Sequence, residues 1–478
     1  MVRKISSILF VEPPKDYWFV MGEYLPPPTG LMILAAYVEK ELPEVEVEIY
    51  DSQAKKSNWS EIEKHIETTA PSVVAASGFT CNAYACARVA EIAKNVNNEI
   101  ITILGGIHFS AIPEESLTDF PEIDYIVRGE GEITLVELIK GLIKGEDISK
   151  LKGISFRHKN RISHTPSRPL IDNLDILPYP AYHLVEDDVK KYHFTMMAGK
   201  NVRFMVLEGA RGCNYNCSFC TQCRHWGGIW RTKSIRRIVD EIEYLHERFG
   251  GQFLWFSDDN FEYKTRAKGL WRELKKRKFT DDVMLFFQAR TDDVANHPDL
   301  VAKLREVGNY WVMIGVESYS PAILKEFKKG IKVPQAYKAI KILNDSDIFS
   351  HAMFVIGSRK DTAKSIEQLR QFSLDLGSDF SIYTTLTPFP GTPYFKTARK
   401  NGWIEDTNYS NYDMAHAIMP TATLSRKGVQ EELFECYRRR YGSITKNIAG
   451  VFSKKKLKRN LYRHYAREKV LKKLRNLI

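Results

Sequence analysis

Two successive runs of short apolar segments, each segment followed by an amphipathic helical stretch, leave this 478-residue chain few folds to choose from. In the first run, residues 6–11, 45–50, 73–77, 100–104 and 125–127 read as strands, and 29–39, 60–69, 83–95 and 133–142 as helices. Strands separated by helices cannot close as hairpins, so they pair in parallel with helices on the sheet faces. Residues 1–145 are therefore expected to form a doubly wound, Rossmann-like α/β domain with its ligand at the carboxyl ends of the strands. Residues 146–200 read as a connector in which Pro178 and Pro180 force extended backbone.

A second alternation begins near Arg203, with strands expected at 205–208, 253–257, 284–289, 311–315, 352–356 and 381–387. Six such steps over residues 201–405 predict a partial (β/α)6 barrel, whose chemistry belongs at the strand C-termini. Residues 406–478 read as a helical, basic extension. The segment 390–412 and the tail are both candidates for a lid over the barrel mouth.

With 44% hydrophobic and 27% charged residues, the chain is globular in composition. No apolar run approaches the roughly 20 residues of a membrane span, and no secretory signal opens the chain. The formal net charge is +11, much of it in the tail 452–478, where Glu468 is the only acid. That tail reads as a solvated helical terminus, as a helix on a membrane surface or, least favoured, as a nucleic-acid patch. Seven cysteines, four of them within 213–223, suit metal binding in a reducing cytoplasm rather than a disulfide framework.

Cys213, Cys217 and Cys220 follow an apolar strand directly. Three thiolates at this spacing can hold three irons of a [4Fe–4S] cluster, which normally takes four. The fourth iron is then open, and beside a bound sulfonium it can deliver one electron and break a carbon–sulfur bond. Cys223 stands close by, but a fourth ligand would close the open iron, so it reads as a bystander. Cys81, Cys86 and Cys436 read as small buried apolar residues.

With Phe219 just before Cys220, the triad resembles the signature of the cobalamin-binding radical S-adenosylmethionine (SAM) enzymes, and the resemblance runs from about Ile8 to Trp403. The stretches 226–231, 234–247 and 174–181 resemble the branch that holds the anaerobic magnesium-protoporphyrin monomethyl ester cyclases and B12-dependent methyltransferases. The resemblance implies a [4Fe–4S] cluster, SAM and cobalamin as cofactors, and a low-potential donor of ferredoxin or flavodoxin type. It implies SAM contacts at Phe219, at Asp258 and Asp259 for the amino group, at Arg290 for the carboxylate, at Glu317 for the ribose and at Gly357 near the adenine. The usual Gly-Leu-Pro-Gly continuation is replaced here by Gly357-Ser358-Arg359-Lys360.

For cobalamin it implies contacts at Phe79 and Thr80, at Gly105, Gly106 and His108, and at Gly129, Glu130 and Gly131. The Asp-x-His-x-x-Gly signature that supplies a histidine ligand to cobalt is missing, and His108 does not fill that pattern. A domain that binds no corrin and only shields the barrel is the alternative. The implied reaction is methylation of an unactivated carbon through a 5′-deoxyadenosyl radical. Cyclisation or carbon-skeleton chemistry on a tetrapyrrole or membrane lipid is the second reading, and a non-catalytic Fe–S redox sensor the third. Trp230 and Tyr383 are candidate substrate linings.

Overall fold

The structure is a computed structural model that describes residues 4–15, 24–158, 161–194, 202–468 and 475–476. The chain divides into two compact units, one of residues 1–17 and 27–191, the other of residues 18–26 and 192–478.

The first unit is built on a seven-stranded sheet: β1 (Ser7–Glu12), β2 (Glu46–Asp51), β3 (Val73–Ser77), β4 (Ile101–Gly105), β5 (Tyr125–Val127), β6 (Ile154–His158) and β7 (Arg161–His164). The order is β2-β1-β3-β4-β5-β6-β7. The first five strands pair in parallel, and β6 and β7 extend the sheet antiparallel. The middle strands are near-continuous apolar runs because helices cover both faces; Val73, Val74, Ala75 and Ala76 are all buried. The helices Thr29–Glu41 and Gly131–Lys144 pack together on the sheet. Strand order reverses between β1 and β3, and in such sheets the crevice at that point takes the ligand. The connector region thus supplies two strands to the sheet edge, pinned by the Arg128 N–H donating to the Gly153 carbonyl at 2.8 Å.

In the second unit, β8 (Phe204–Leu207) is followed by a short antiparallel ribbon, β9 (Ala210–Arg211) with β10 (Arg231–Thr232). Then come β11 (Phe253–Phe256), β12 (Met284–Arg290), β13 (Asn309–Glu317), β14 (Phe349–Ile356) and β15 (Phe380–Thr385). Strands β8 and β11–β15 pair in parallel in chain order, an open six-stranded barrel. The early halves of these strands point aromatic rings inward. Trp311 stacks on Phe286 at 3.9 Å and on Phe253 at 5.8 Å, with Phe194 and His351 beside it. This layer fills the amino end of the barrel and leaves the carboxyl end for polar groups. Burial pushes the His351 imidazole down to about 3, so it packs there as a neutral ring.

The described part of the tail, up to residue 468, lies away from the barrel mouth. Lys455 and Lys458 pair with the buried Asp379 at 2.6 and 3.1 Å, and Lys455 also donates to the Ile348 carbonyl at 3.3 Å. Asp379 and Ile348 precede β15 and β14, so the helix Lys456–Glu468 is held at the amino ends of the strands, with Leu457 and Leu461 buried beneath it. Part of the tail's charge is thereby spent inside the fold. Among the described residues no helix is long and apolar enough to cross a membrane.

Candidate active site

The cysteine loop leaves the carboxyl end of β8, and the residues that follow β11 shape its entrance. Asp258 is fully buried; its Oδ1 accepts from the backbone N–H of Gly209 at 2.7 Å and of Ala210 at 2.9 Å, and its Oδ2 pairs with the buried guanidinium of Arg266. The family resemblance implies that Asp258 meets the amino group of SAM, whereas here both of its carboxylate oxygens are engaged within the protein. The structure places Asp258 inside, as the clamp that starts the loop. Asp259 is half-buried, and its Oδ2 accepts the Gly212 N–H at 3.0 Å. Burial raises its carboxyl to about 7, helped by the charges of Asp258 and Glu208. The β9–β10 ribbon sets Arg211 opposite Arg231, with both guanidiniums over the Trp226 ring at 5.5 and 5.7 Å. Trp230 closes the far side: its backbone N–H donates to Asn214 Oδ1 at 2.9 Å and its indole to the Asn260 carbonyl at 3.1 Å.

Cys213, Cys217 and Cys220 are free thiols on this loop. Among the described residues, no three His, Cys, Asp or Glu side chains close on a single ion. Three cysteines on one loop are the donor set for a cluster with one open iron. Burial pushes the Cys213 thiol up to about 11 and raises that of Cys217, so the loop carries neutral thiols until a metal displaces their protons. Cys223 sits against the triad: its thiol reaches the carbonyls of Cys220 at 3.3 Å and Cys217 at 3.6 Å and also meets the Cys220 thiol.

Between the cysteines the loop is stapled to distant elements. The Ser218 N–H donates to the Phe327 carbonyl at 2.9 Å, its hydroxyl to the Glu326 carbonyl at 3.0 Å, and its own carbonyl accepts the Tyr394 N–H at 3.0 Å. Phe219 lies edge-on to Phe327 at 5.0 Å, against an apolar cluster that includes Val355 and Tyr394.

β12 ends at Arg290, whose guanidinium forks onto Asp292 at 2.9 and 3.0 Å, donates to the Lys329 carbonyl at 2.9 Å and lies 3.3 Å over the ring of Tyr215. Arg290 therefore steadies the loop between Cys213 and Cys217. β13 ends in a bulge at Glu317, held at φ 60 and ion-paired to the buried Lys329 at 2.7 Å. A left-handed glutamate is strained, and such strain gathers at functional sites. The pair packs on Gly315: a Cβ there would lie 2.6 Å from Lys329 Nζ and strike Glu317 Oε1, so a larger residue would displace the ion pair. After β14, the N–H groups of Gly357 and Ser358 both donate to Asp361 Oδ2 at 3.0 Å, so the departure from Gly-Leu-Pro-Gly is still an ordered turn. Tyr383 is buried, its hydroxyl 2.5 Å from Ser373 and its ring against Tyr437, so it packs in the core.

The second polar concentration lies at the carboxyl ends of β3, β4 and β5 in the first unit. Phe79 is 58% exposed there, while Thr80 and Asn82 behind it are buried. Gly105 ends β4, and Gly106 has φ 91; a Cβ at Gly106 would meet both the N and the O of Gly78 at 2.7 Å, so only glycine lets the two loops touch. Gly129 has nothing within 4 Å of its would-be Cβ, an open cradle at the start of the helix Gly131–Lys144. Glu130 turns inward, and its Oε2 accepts the Ile171 N–H at 2.6 Å. Gly131 packs close on Leu34. His108 is buried edge-on to Phe109 and does not reach the surface.

Burial lowers the His108 imidazole to about 4 from an ordinary 6.5. It stays neutral in the folded unit but protonates in the unfolded chain, so its stabilisation is complete above about pH 6.5 and is lost as the pH falls towards 4, roughly 3 kcal/mol in all. Urea unfolding of the first unit across this range should show the loss, and His108→Phe should flatten it.

Two family profiles match this chain: the radical SAM superfamily over residues 207–373 and the B12 binding domain over residues 21–139. A protein of Pyrococcus horikoshii, described as an uncharacterized methyltransferase, is 32% identical over 438 residues, 91% of this chain and 92% of that one. The chain belongs to the cobalamin-binding radical SAM family. The anaerobic magnesium-protoporphyrin IX monomethyl ester cyclase of Rubrivivax gelatinosus is 28% identical, over 86% of this chain and 73% of its own. The fold is that of the radical SAM methyltransferase TsrM from Kitasatospora setae, solved with cobalamin and a [4Fe–4S] cluster (TM-score 0.74, 16% identity, 99% and 100% covered).

As a radical SAM enzyme with a B12 domain, the protein uses a [4Fe–4S] cluster, SAM and cobalamin. The residues fit those groups. Free thiols at 213, 217 and 220 share one loop, the strand ends of the first unit carry the open Gly129 and the exposed Phe79, and acids and bases stand at the barrel mouth. Sequence reading missed Tyr215, Arg266, Asp292 and Lys329. Asp292 stands two residues from Arg290, but no periodic spacing links Lys329 to Glu317 or Arg266 to Asp258.

Proposed function

We propose that the protein is a B12-dependent methyltransferase acting on an unactivated carbon of a small-molecule, lipid or tetrapyrrole substrate, with electrons from a low-potential one-electron carrier. The observation that carries this reading is the cysteine loop, which sets Cys213, Cys217 and Cys220, all free of disulfides, beyond the carboxyl end of β8. When bound, the cluster supplies one electron that splits a carbon–sulfur bond of SAM, and cobalamin supplies a transferable methyl group.

The chain's own residues bind and orient. Cys213, Cys217 and Cys220 are the cluster ligands. Asp259 and the Glu317–Lys329 pair offer acceptors and a donor for the polar ends of SAM. Burial raises the Asp259 carboxyl to about 7, so a cation sharing its site would favour its charged form, which suits an ammonium partner. Phe219 and the apolar cluster behind it exclude water from that side of the loop. In the first unit Phe79 and the glycines at 105, 106, 129 and 131 form the corrin cradle.

The similarity to magnesium-protoporphyrin cyclases favours cyclisation as a second reading. Methyl-labelled SAM separates the two. Methyl transfer consumes one SAM for the methyl group and another for the radical, and it labels the product; cyclisation leaves the product unlabelled. Label in the product, alongside deoxyadenosine, is the expected result, and deoxyadenosine with an unlabelled, dehydrogenated product would overturn it.

A further inference from the structure

Beyond the barrel mouth, the turn Phe327–Val333 separates its lysines by direction. Lys328 at φ 51 and Gly330 at φ 72 are both left-handed, and they throw alternate side chains apart. Lys329 goes inward to Glu317, where its charge lies beside the Cys217 thiol. Lys325, Lys328 and Lys332 go outward and are exposed. They rim an open cavity of about 490 Å³ whose floor is apolar, with Leu324, Ile331, Val333 and Pro334. None of the three has an ion-pair partner among the described residues. Neighbouring surface lysines do have partners: Lys341 holds Asp345 at 2.8 Å and Lys360 holds Glu326 at 3.5 Å. Three unpaired cations around an apolar floor form an incomplete surface, complementary to a partner of opposite sign.

This surface is also wired to the cysteine loop by short links. Phe327, one residue before Lys328, accepts from the Ser218 N–H at 2.9 Å, and its ring meets Phe219 at 5.0 Å. We propose that the Lys325–Lys328–Lys332 crown is the landing surface for a small acidic one-electron carrier protein, a proposal that rests on reading the cysteine loop as a cluster site. The carrier gives up one electron and the [4Fe–4S] cluster gains it; no bond forms or breaks and no proton is transferred. The lysines act only in encounter and orientation, so they govern delivery by a protein and not delivery by a small reductant.

The test uses the full-length, reconstituted enzyme and the variant Lys325→Glu/Lys328→Glu/Lys332→Glu. Purified flavodoxin is the protein donor and dithionite the small one. With flavodoxin at low ionic strength, deoxyadenosine formation by the variant should fall at least about tenfold, and the wild-type rate should drop as salt is added while the variant's changes little. With dithionite the two proteins should agree within about twofold, which shows the variant to be folded and loaded. The affinity of each for oxidised flavodoxin, a readout independent of turnover, should fall in parallel. Equal flavodoxin-driven rates and equal affinities overturn the proposal. So does a variant that keeps flavodoxin binding and loses only its binding to phosphatidylglycerol vesicles. If dithionite elicits no deoxyadenosine from the wild type, it is the functional reading that fails, and the affinity comparison still decides the docking surface.

Discussion

Cys217→Ala should yield a folded protein that holds no intact cluster and forms deoxyadenosine at least about a thousandfold more slowly than wild type. Cys217 is buried but its thiol anchors nothing else in the loop; the staples are the backbone and hydroxyl of Ser218. The change removes one sulfur and leaves a small void, a cost of about 1 kcal/mol. The chemical cost is far larger, because two thiolates cannot hold a four-iron cluster against solvent. Cys223→Ala supplies the contrast. Its thiol meets the carbonyls of Cys217 and Cys220 and the Cys220 thiol; with Cys213, Cys217 and Cys220 as the ligands, the variant should keep its iron and lose less than about tenfold in rate. Iron and sulfide content, visible absorption and deoxyadenosine yield check both. Iron retained in the Cys217 variant and lost in the Cys223 variant would reassign the ligands.

The second large effect is expected at Asp258. Its carboxylate neutralises a fully buried arginine and satisfies two backbone N–H groups at once. Asp258→Ala leaves Arg266 charged in the interior and orphans Gly209 and Ala210, which should cost about 3–5 kcal/mol. Asp258→Asn keeps an acceptor for the turn and removes only the charge, so it should cost less. Pairing Asp258→Asn with Arg266→Met should recover part of the loss, because no charge is then stranded. Thermal and urea unfolding of the second unit, followed by the fluorescence of its tryptophans, gives the order. A variant Asp258→Ala that unfolds like wild type but no longer binds SAM would show that the acid serves the ligand and not the fold.

The fold was legible because hydrophobic period and strand spacing carry it. The apolar runs at β3, β4 and β8 announce buried parallel strands, and the helices between them exclude hairpins. β6 and β7 were harder to place, since a short hairpin such as Ile154–His158 with Arg161–His164 shows too little alternation to say which sheet it joins. In the site, Arg290 and Glu317 do stand at the ends of β12 and β13, where barrel logic puts polar groups. Their partners were invisible. Lys329 reaches Glu317 across a strained bulge, and Tyr215 meets Arg290 across 75 residues of chain, contacts that only the closed barrel creates. Asp258 illustrates the opposite limit, since paired acids after a strand look alike in sequence whether they face a ligand or a buried arginine.

The staples on Ser218 also set an order of events. Its three hydrogen bonds reach residues more than a hundred positions further along the chain, on segments that follow β13 and β15. Contacts of such long separation form late in folding. Until synthesis has passed Tyr394, the nascent cysteine loop lacks the last of its three staples.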